Sequence, residues 1–220
     1  HEHNHVTAGQ SVLNRLLAGE SCALMTDAGT PAISDPGEDL VRLCAENGVE
    51  VRAIPGCCAA VNALAVSGLP TGRFTFEGFL TVNKKSRREH LNSLKGETRT
   101  MIFHEAPHKL RTTLNDLTEA FGPDRRISLC RELTKLHEEV LRFTLAEAVS
   151  YYEENAPKGE YVLVVAGAAP KTGAVVTLED GVAQVLALKE QGMRLKDAAK
   201  EVAEHTGLSK NELYAAALER

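Results

Sequence analysis

Three stretches have residue types and spacing suited to chemistry. The first is Asp27-Ala28-Gly29-Thr30-Pro31-Ala32-Ile33-Ser34-Asp35-Pro36-Gly37, between the short apolar run Cys22-Ala23-Leu24-Met25 and a helical pattern. A glycine lets backbone approach a ligand closely, and Pro31 and Pro36 stiffen the loop. Asp35-Pro36 also reads as an N-cap and first-turn proline for the next helix. No Lys-Ser/Thr follows, which excludes a Walker phosphate loop. The second stretch is Pro55-Gly56-Cys57-Cys58-Ala59-Ala60. Small side chains and free N–H groups at a helix start suit a carboxylate or a ribose; a tight turn carrying two buried thiols is the alternative. The third is Asn83-Lys84-Lys85-Ser86-Arg87-Arg88. Between Lys84 and Arg111 eight Lys/Arg stand against three Glu, on a chain of net charge −5. Such a strip could hold a polyanion through its phosphates without reading sequence; a solvated helix face is the alternative.

His1-Glu2-His3-Asn4-His5 matches HExxH literally. A zincin needs that motif inside an amphipathic helix with a third ligand downstream. Neither is visible, so no metal is expected. The remaining composition bounds the class. The chain has 220 residues, 43% hydrophobic and 25% charged, and no Trp. That profile fits folded α/β domains and excludes disorder, collagen and coiled coil. No apolar run approaches the length of a membrane span, and no signal peptide is recognisable. Five cysteines at 22, 44, 57, 58 and 130 lack CxxC spacing. They predict buried, reduced thiols in a cytoplasmic protein.

These loops need elements to position them. Up to about residue 70, helical and apolar segments alternate: Val12 to Leu17, Cys22 to Met25, Leu40 to Cys44, Val49 to Ile54 and an Ala-rich helix ending at Gly68. Strand, turn and helix repeated in this way predict a parallel sheet with crossover helices. A break follows at Gly68, Pro70 and Gly72. Strands are then predicted over 74–79, 100–103, 126–130, 139–143 and 161–166, and helices over 87–94 and 109–121. Residues 168–177 read as a linker. Three helical segments follow, at 178–191, 195–205 and 209–219.

TDAGTPAISDPG, AIPGCCAAVNALAVSGLP, FEGFL, FHEAPHKL, CRELTKLHEE and GEYVLVVAG, in that order, resemble the ribosomal RNA small subunit methyltransferase I family of the tetrapyrrole methylase superfamily. The likeness runs from His1 to the final helix. It implies an α/β fold of two tetrapyrrole-methylase-type domains, residues 1–70 and 71–168, with a helical appendage at 178–220. It also implies S-adenosyl-L-methionine as methyl donor and a cytidine 2′-hydroxyl in 16S rRNA of the small subunit as acceptor. Asp27, Ala28, Gly29, Thr30, Pro31 and Ile33, with Cys57, Cys58 and Ala59, would line the cofactor cleft. Lys84, Lys85, Arg87 and Arg88 would grip RNA, and a homodimer is expected. Cys57 stands where the family usually has Pro, and Thr26 where Ser is usual. A preceding stretch of the family, with its first strand, is absent, so the sequence reads as N-terminally truncated.

Transfer to a hydroxyl needs in-line placement and a group that takes or stabilises the proton. The candidates are Glu105 and His104 at a strand end, and Arg131, Glu132 and Lys135 in CRELTK, with Glu105 and Lys135 preferred for the catalytic role. A structural Arg131–Glu132 ion pair and a solvated Lys135 are the alternatives. The C-terminal segments have helix-turn-helix rhythm, yet six basic residues balance six acidic ones from Lys189 to Arg220. That balance is poor for reading a DNA groove. A porphyrinoid or diphthamide-pathway methyltransferase and a DNA-binding regulator are the rival readings; neither a DNA nor a membrane partner is expected.

Overall fold

The structure is a computed structural model that describes residues 5–169 and 177–219. The HExxH match and most of the 168–177 linker involve residues outside the described ones. The chain divides into two compact units, His1–Ala168 and Ala169–Arg220.

The first unit begins with helices α1 (His5–Leu17), α2 (Glu38–Glu46) and α3 (Ala59–Ser67). Then follow β1 (Phe74–Phe79), α4 (Lys84–Ser93), β2 (Thr100–Glu105), α5 (Pro107–Phe121), β3 (Arg126–Arg131), β4 (Glu139–Thr144), α6 (Leu145–Glu154) and β5 (Tyr161–Val165). The strands form one sheet in the order β1-β2-β5-β3-β4. Only β1 and β2 pair in parallel, across the α4 crossover; β5 is antiparallel to β2 and β3, and β4 to β3.

Strand periodicity divides the side chains between two faces. Met101 and Phe103, Ile127 and Leu129, and Leu163 and Val165 form one core with Leu110, Leu114 and Leu117 of α5 and Leu145 and Ala148 of α6. Ile102, Cys130, Val162 and Val164 turn to the other face, where they meet Ala60, Ala63 and Leu64 of α3. Thus α3, N-terminal to the break at 68–73, covers the sheet that begins after it.

The parallel sheet predicted for the first 70 residues does not form among the described residues. Cys22–Met25 and Val49–Ile54 are extended but unpaired, and Met25 and Ile54 are 83% and 85% exposed. A strand exists only through a ladder, and neither segment pairs with another strand among the described residues. Cys22, in the first of them, is exposed, and so is Cys57; only Cys44 and Cys130 are buried thiols. Asp35-Pro36 do not cap α2 either. The helix starts at Glu38 behind Gly37, whose φ of 135° is open to glycine. One helix escaped the sequence reading, α6, although Thr144 and Glu147 form a capping box at its start.

The second unit comprises α7 (Leu178–Glu190), α8 (Leu195–Thr206) and α9 (Lys210–Leu218). They close on Val182, Val185, Ala198, Ala199, Val202 and Leu213. Gly181 permits this, because a Cβ there would meet Leu208 and Leu213 at 2.7 Å.

Candidate functional site

The two loops singled out in the sequence lie against each other. Thr30 Oγ1 donates to the Cys57 carbonyl at 2.9 Å, and a Cβ on Gly29 would sit 3.8 Å from the same oxygen. Asp27–Ile33 and Cys57–Ala59 therefore share one surface at the start of α3. No side chain caps that helix, whose N-cap is Cys58, so its first N–H groups keep their capacity to bind an anion. Ala32 and Ser34 adopt left-handed φ values of 66° and 63°. Such strain in non-glycine residues concentrates at binding loops.

Among the described residues the other two left-handed non-glycine ones are Glu132 and Thr134, with φ of 50° and 66°, in the loop after β3. That loop is tied to the entry of β5. Glu132 N–H donates to the Glu160 carbonyl at 3.0 Å, and Glu160 N–H to Glu132 Oε1 at 2.8 Å. Gly159 is required here, since a Cβ would overlap the Glu132 carboxylate. Lys135 Nζ bridges Glu132 at 2.9 Å and Glu160 at 2.8 Å. The hydrogen bond to Glu160, then that to Glu132, raises the ammonium's pKa. Lys135 thus stays charged: it can steady a negative oxygen but cannot take a proton.

His104 and Glu105, neighbours at the end of β2, go to opposite faces. Glu105 is buried on the α5 side, where Thr113 Oγ1 donates to it at 2.5 Å and Ala106 N–H at 2.8 Å. Its carboxyl ties down the start of α5. This corrects the preference for Glu105 as a catalytic group, because a carboxyl enclosed under a helix and already bonded does not face the two loops. His104 lies on the α3 face instead. Burial lowers its pKa, opposed by the charges of Asp35 and Glu160, so the imidazole is neutral at neutral pH. Its Nε2 is shielded and has no hydrogen-bond partner among the described residues. Phe76 and Phe79 meet the ring edge-on, with centroids 5.3 and 5.4 Å away.

The sequence reading missed those two phenylalanines. Three residues apart on a regular strand, they would point to opposite faces. A bulge intervenes: Phe76 pairs with Ile102 but Gly78 with Phe103 and Phe79 with His104. The extra residue returns Phe79, 57% exposed, to the His104 side. Gly78, with φ of 63°, was the available signal.

The basic stretch opens α4, with the Asn83 side chain accepting from Lys85 and Ser86 N–H. Arg87 is corrected as an RNA-gripping residue: it is 8% exposed and pairs with Asp116 at 2.5 Å. Arg88 pairs with Glu119, while Lys85 Nζ is 4.0 Å from Glu89 at an exposed site. Lys84 has no ion-pair partner among the described residues. No cluster of three or more metal-ligating side chains occurs among the described residues, and no helix there is long and apolar enough to cross a membrane.

Comparison with known proteins gives this arrangement a family. The family model for tetrapyrrole (corrin/porphyrin) methylases matches residues 1–149. The "Ribosomal RNA small subunit methyltransferase I" of Synechocystis sp. is 45% identical over 219 residues, covering 100% of this chain and 78% of that protein. The protein of the same name from Escherichia coli O157:H7 is 41% identical over 222 residues, covering 100% and 77%. This chain belongs to the ribosomal RNA small subunit methyltransferase I family of tetrapyrrole methylases. The family's own C-terminal helix-turn-helix model matches residues 176–220, so the terminal helices are part of the methyltransferase I pattern. Among solved structures, the methyltransferase CobJ superposes with a TM-score of 0.56 at 21% identity over 77% of this chain and 74% of its own. Diphthine synthase gives 0.53 at 14% identity over 74% and 66%. Those two likenesses establish the tetrapyrrole methylase fold and nothing further. The chain is therefore a methyltransferase with a mixed α/β sheet and a C-terminal helical region.

Proposed function

We propose that this protein methylates the 2′-hydroxyl of a cytidine ribose in 16S rRNA of the small ribosomal subunit, with S-adenosyl-L-methionine as donor. The single observation that carries the reading is similarity along the whole of this chain, at 41–45% identity, to proteins named for small-subunit rRNA methylation. The local chemistry supports it. Asp27–Ile33 and Cys57–Ala59 fit a donor of this kind: they join through Thr30, their side chains are small, and uncapped N–H groups at α3 suit its carboxylate. Exposed Met25 and Ile54 offer apolar surface for its adenine. When bound, the donor supplies an electrophilic methyl group on a sulfonium.

The chain's own residues supply the rest. The neutral imidazole of His104 accepts the proton as the ribose oxygen attacks. Lys135, held charged by two carboxylates, stands where it can steady that oxygen or a neighbouring phosphate. Phe76 and Phe79 give an aromatic surface for an unstacked base, and Lys84 and Lys85 contribute phosphate contacts. The enzyme works as a homodimer in the cytoplasm, where small subunits are assembled. Labelled S-adenosyl-L-methionine and unmodified 30S particles test this. Label on a cytidine 2′-oxygen is expected; label on a base, or none, would overturn it.

A further inference from the structure

On the α5/α6 side of the sheet, across from His104, lies a cavity of about 290 Å³ that the reading above does not use. It sits where β3 ends, β4 and β5 begin, and α6 runs out. Three of the chain's four tyrosines, Tyr151, Tyr152 and Tyr161, line it. Burial raises the Tyr152 pKa, with a hydrogen bond to Tyr161 adding to it, so the Tyr152 hydroxyl stays uncharged. Tyr161 is fixed by Lys158 N–H, which donates to its hydroxyl at 3.2 Å. Tyr151 is half-buried and packs at a tilt of 37° on Phe143.

The polar groups are arranged for recognition. Arg131 Nε is shielded and makes no hydrogen bond among the described residues; Glu139 Oε2 lies 3.3 Å away, off the donor direction. A guanidinium and a carboxylate side by side present donors next to an acceptor, which matches the mixed edge of a nucleobase. Asn155, whose Nδ2 already donates to the Tyr151 carbonyl at 2.9 Å, adds a carboxamide oxygen as acceptor and one further N–H, and Lys158 is an exposed ammonium at the rim. Aromatic rings with a guanidinium are the usual receptor for an unpaired RNA base. The cavity's volume suits one base and not a pair.

We propose that this cavity binds a single unpaired nucleotide of the RNA substrate, distinct from the methylated one, with its base on Tyr151 and against the Arg131–Glu139 edge and its phosphate at Lys158. The inference rests on the RNA reading above and adds a second anchoring point to it. Both places lie at one end of the sheet's central strands, since Arg131 pairs with Tyr161, and Tyr161 with Glu105 next to His104. A strand of RNA passing over that end reaches both.

Carbon-13-labelled tyrosine provides the test, because Tyr214, in the other unit, serves as an internal reference. Titration with cytidine 5′-monophosphate, adenosine 5′-monophosphate and inorganic phosphate is followed by ring resonances. Shifts at Tyr151, Tyr152 and Tyr161 with a nucleotide, Tyr214 unmoved, are expected. Shifts with phosphate alone, or none, would overturn the proposal. On 30S particles, Tyr151→Ala should raise KM about tenfold with kcat retained, and Tyr151→Phe should not. Lys158→Ala, at an exposed site, should raise KM without loss of folding. An unchanged KM in both Tyr151→Ala and Lys158→Ala refutes the anchor even where methylation proceeds. If wild type labels no rRNA, the functional reading fails, and the tyrosine titration still decides the cavity.

Discussion

Toward α5 and α6 the sheet presents Met101, Phe103, Leu129 and Leu163, all fully shielded from solvent, beneath two long helices. Toward α3 it presents a thinner apolar layer that gives way, at the ends of β2 and β3, to His104, Phe76, Phe79 and the strained 132–134 loop. Adjacent residues report the difference: Glu105 is consumed in holding a helix start, while His104 keeps a nitrogen unpaired among the described residues. Where α5 packs closely, a polar group such as Glu105 has no freedom to serve a substrate, whereas on the incompletely covered face His104 does. The exposed loops at 26–37 and 55–58 gather on that second face because α3, which they precede, lies there.

The largest expected contrast comes from breaking each face in turn. His104→Ala should lower the methyl-transfer rate by about 10²- to 10⁴-fold, the usual worth of a positioned base, while the urea midpoint barely moves. The same rate loss accompanied by unfolding would make His104 a packing residue. In the wild type the rate should rise with pH and level off, with its midpoint below the ordinary histidine value of about 6.5, because burial lowers this pKa. The stability sign follows. Below the ordinary value the unfolded chain holds a proton that the folded chain refuses. Stability is therefore complete above that value and declines as pH falls toward the lower folded one. The His104→Ala variant should lack this slope.

On the other face, Leu114→Ala should cost about 2–5 kcal/mol in urea unfolding, as fully buried leucines do, with kcat of the folded fraction retained. Glu105→Ala comes next, at roughly 1–3 kcal/mol, since it strands the Thr113 hydroxyl and the Ala106 N–H. Its folded fraction should methylate at the wild-type rate. A large loss of kcat there would erase the distinction between the faces.

Much of this was legible in advance, for particular reasons. The five strands of the sheet carry apolar runs bounded by turns, and their type was readable without partners in view. The same alphabet at Cys22–Met25 and Val49–Ile54 misled, because pairing is a non-local property and neither segment has a ladder. The loop pair was readable from Gly, Pro and small residues after apolar runs, though not the Thr30 bond that joins them. Choosing Glu105 over His104 ignored a rule the sequence did contain. Period-two alternation from Met101 and Phe103 puts Glu105 with the core and His104 opposite. Phe79 was hidden by a bulge that only Gly78 hinted at. The tyrosine cavity assembles residues up to thirty positions apart (Arg131 to Tyr161), which no local pattern announces.

The smallest effect separates the basic residues from one another. Lys84 and Lys85 occupy the first turn of α4, where the helix dipole disfavours cations and which itself carries no acidic residue. Arg87, three residues into the helix, is tied to Asp116, and Arg88 to Glu119. A residue kept against a local preference is retained for something other than stability. The double variant Lys84→Ala/Lys85→Ala should therefore stabilise the helix start slightly, by roughly a few tenths of a kcal/mol, while weakening RNA binding. The salt dependence of binding should flatten by about one unit of slope for each phosphate that is no longer neutralised. Anisotropy of labelled single-stranded RNA across a salt series, beside a urea titration, reads both signs together. Arg88→Ala, whose charge already faces Glu119, should change the slope less than either lysine. An equal change at all three positions would mean that the strip acts through net charge alone, with no phosphate held specifically at the start of α4.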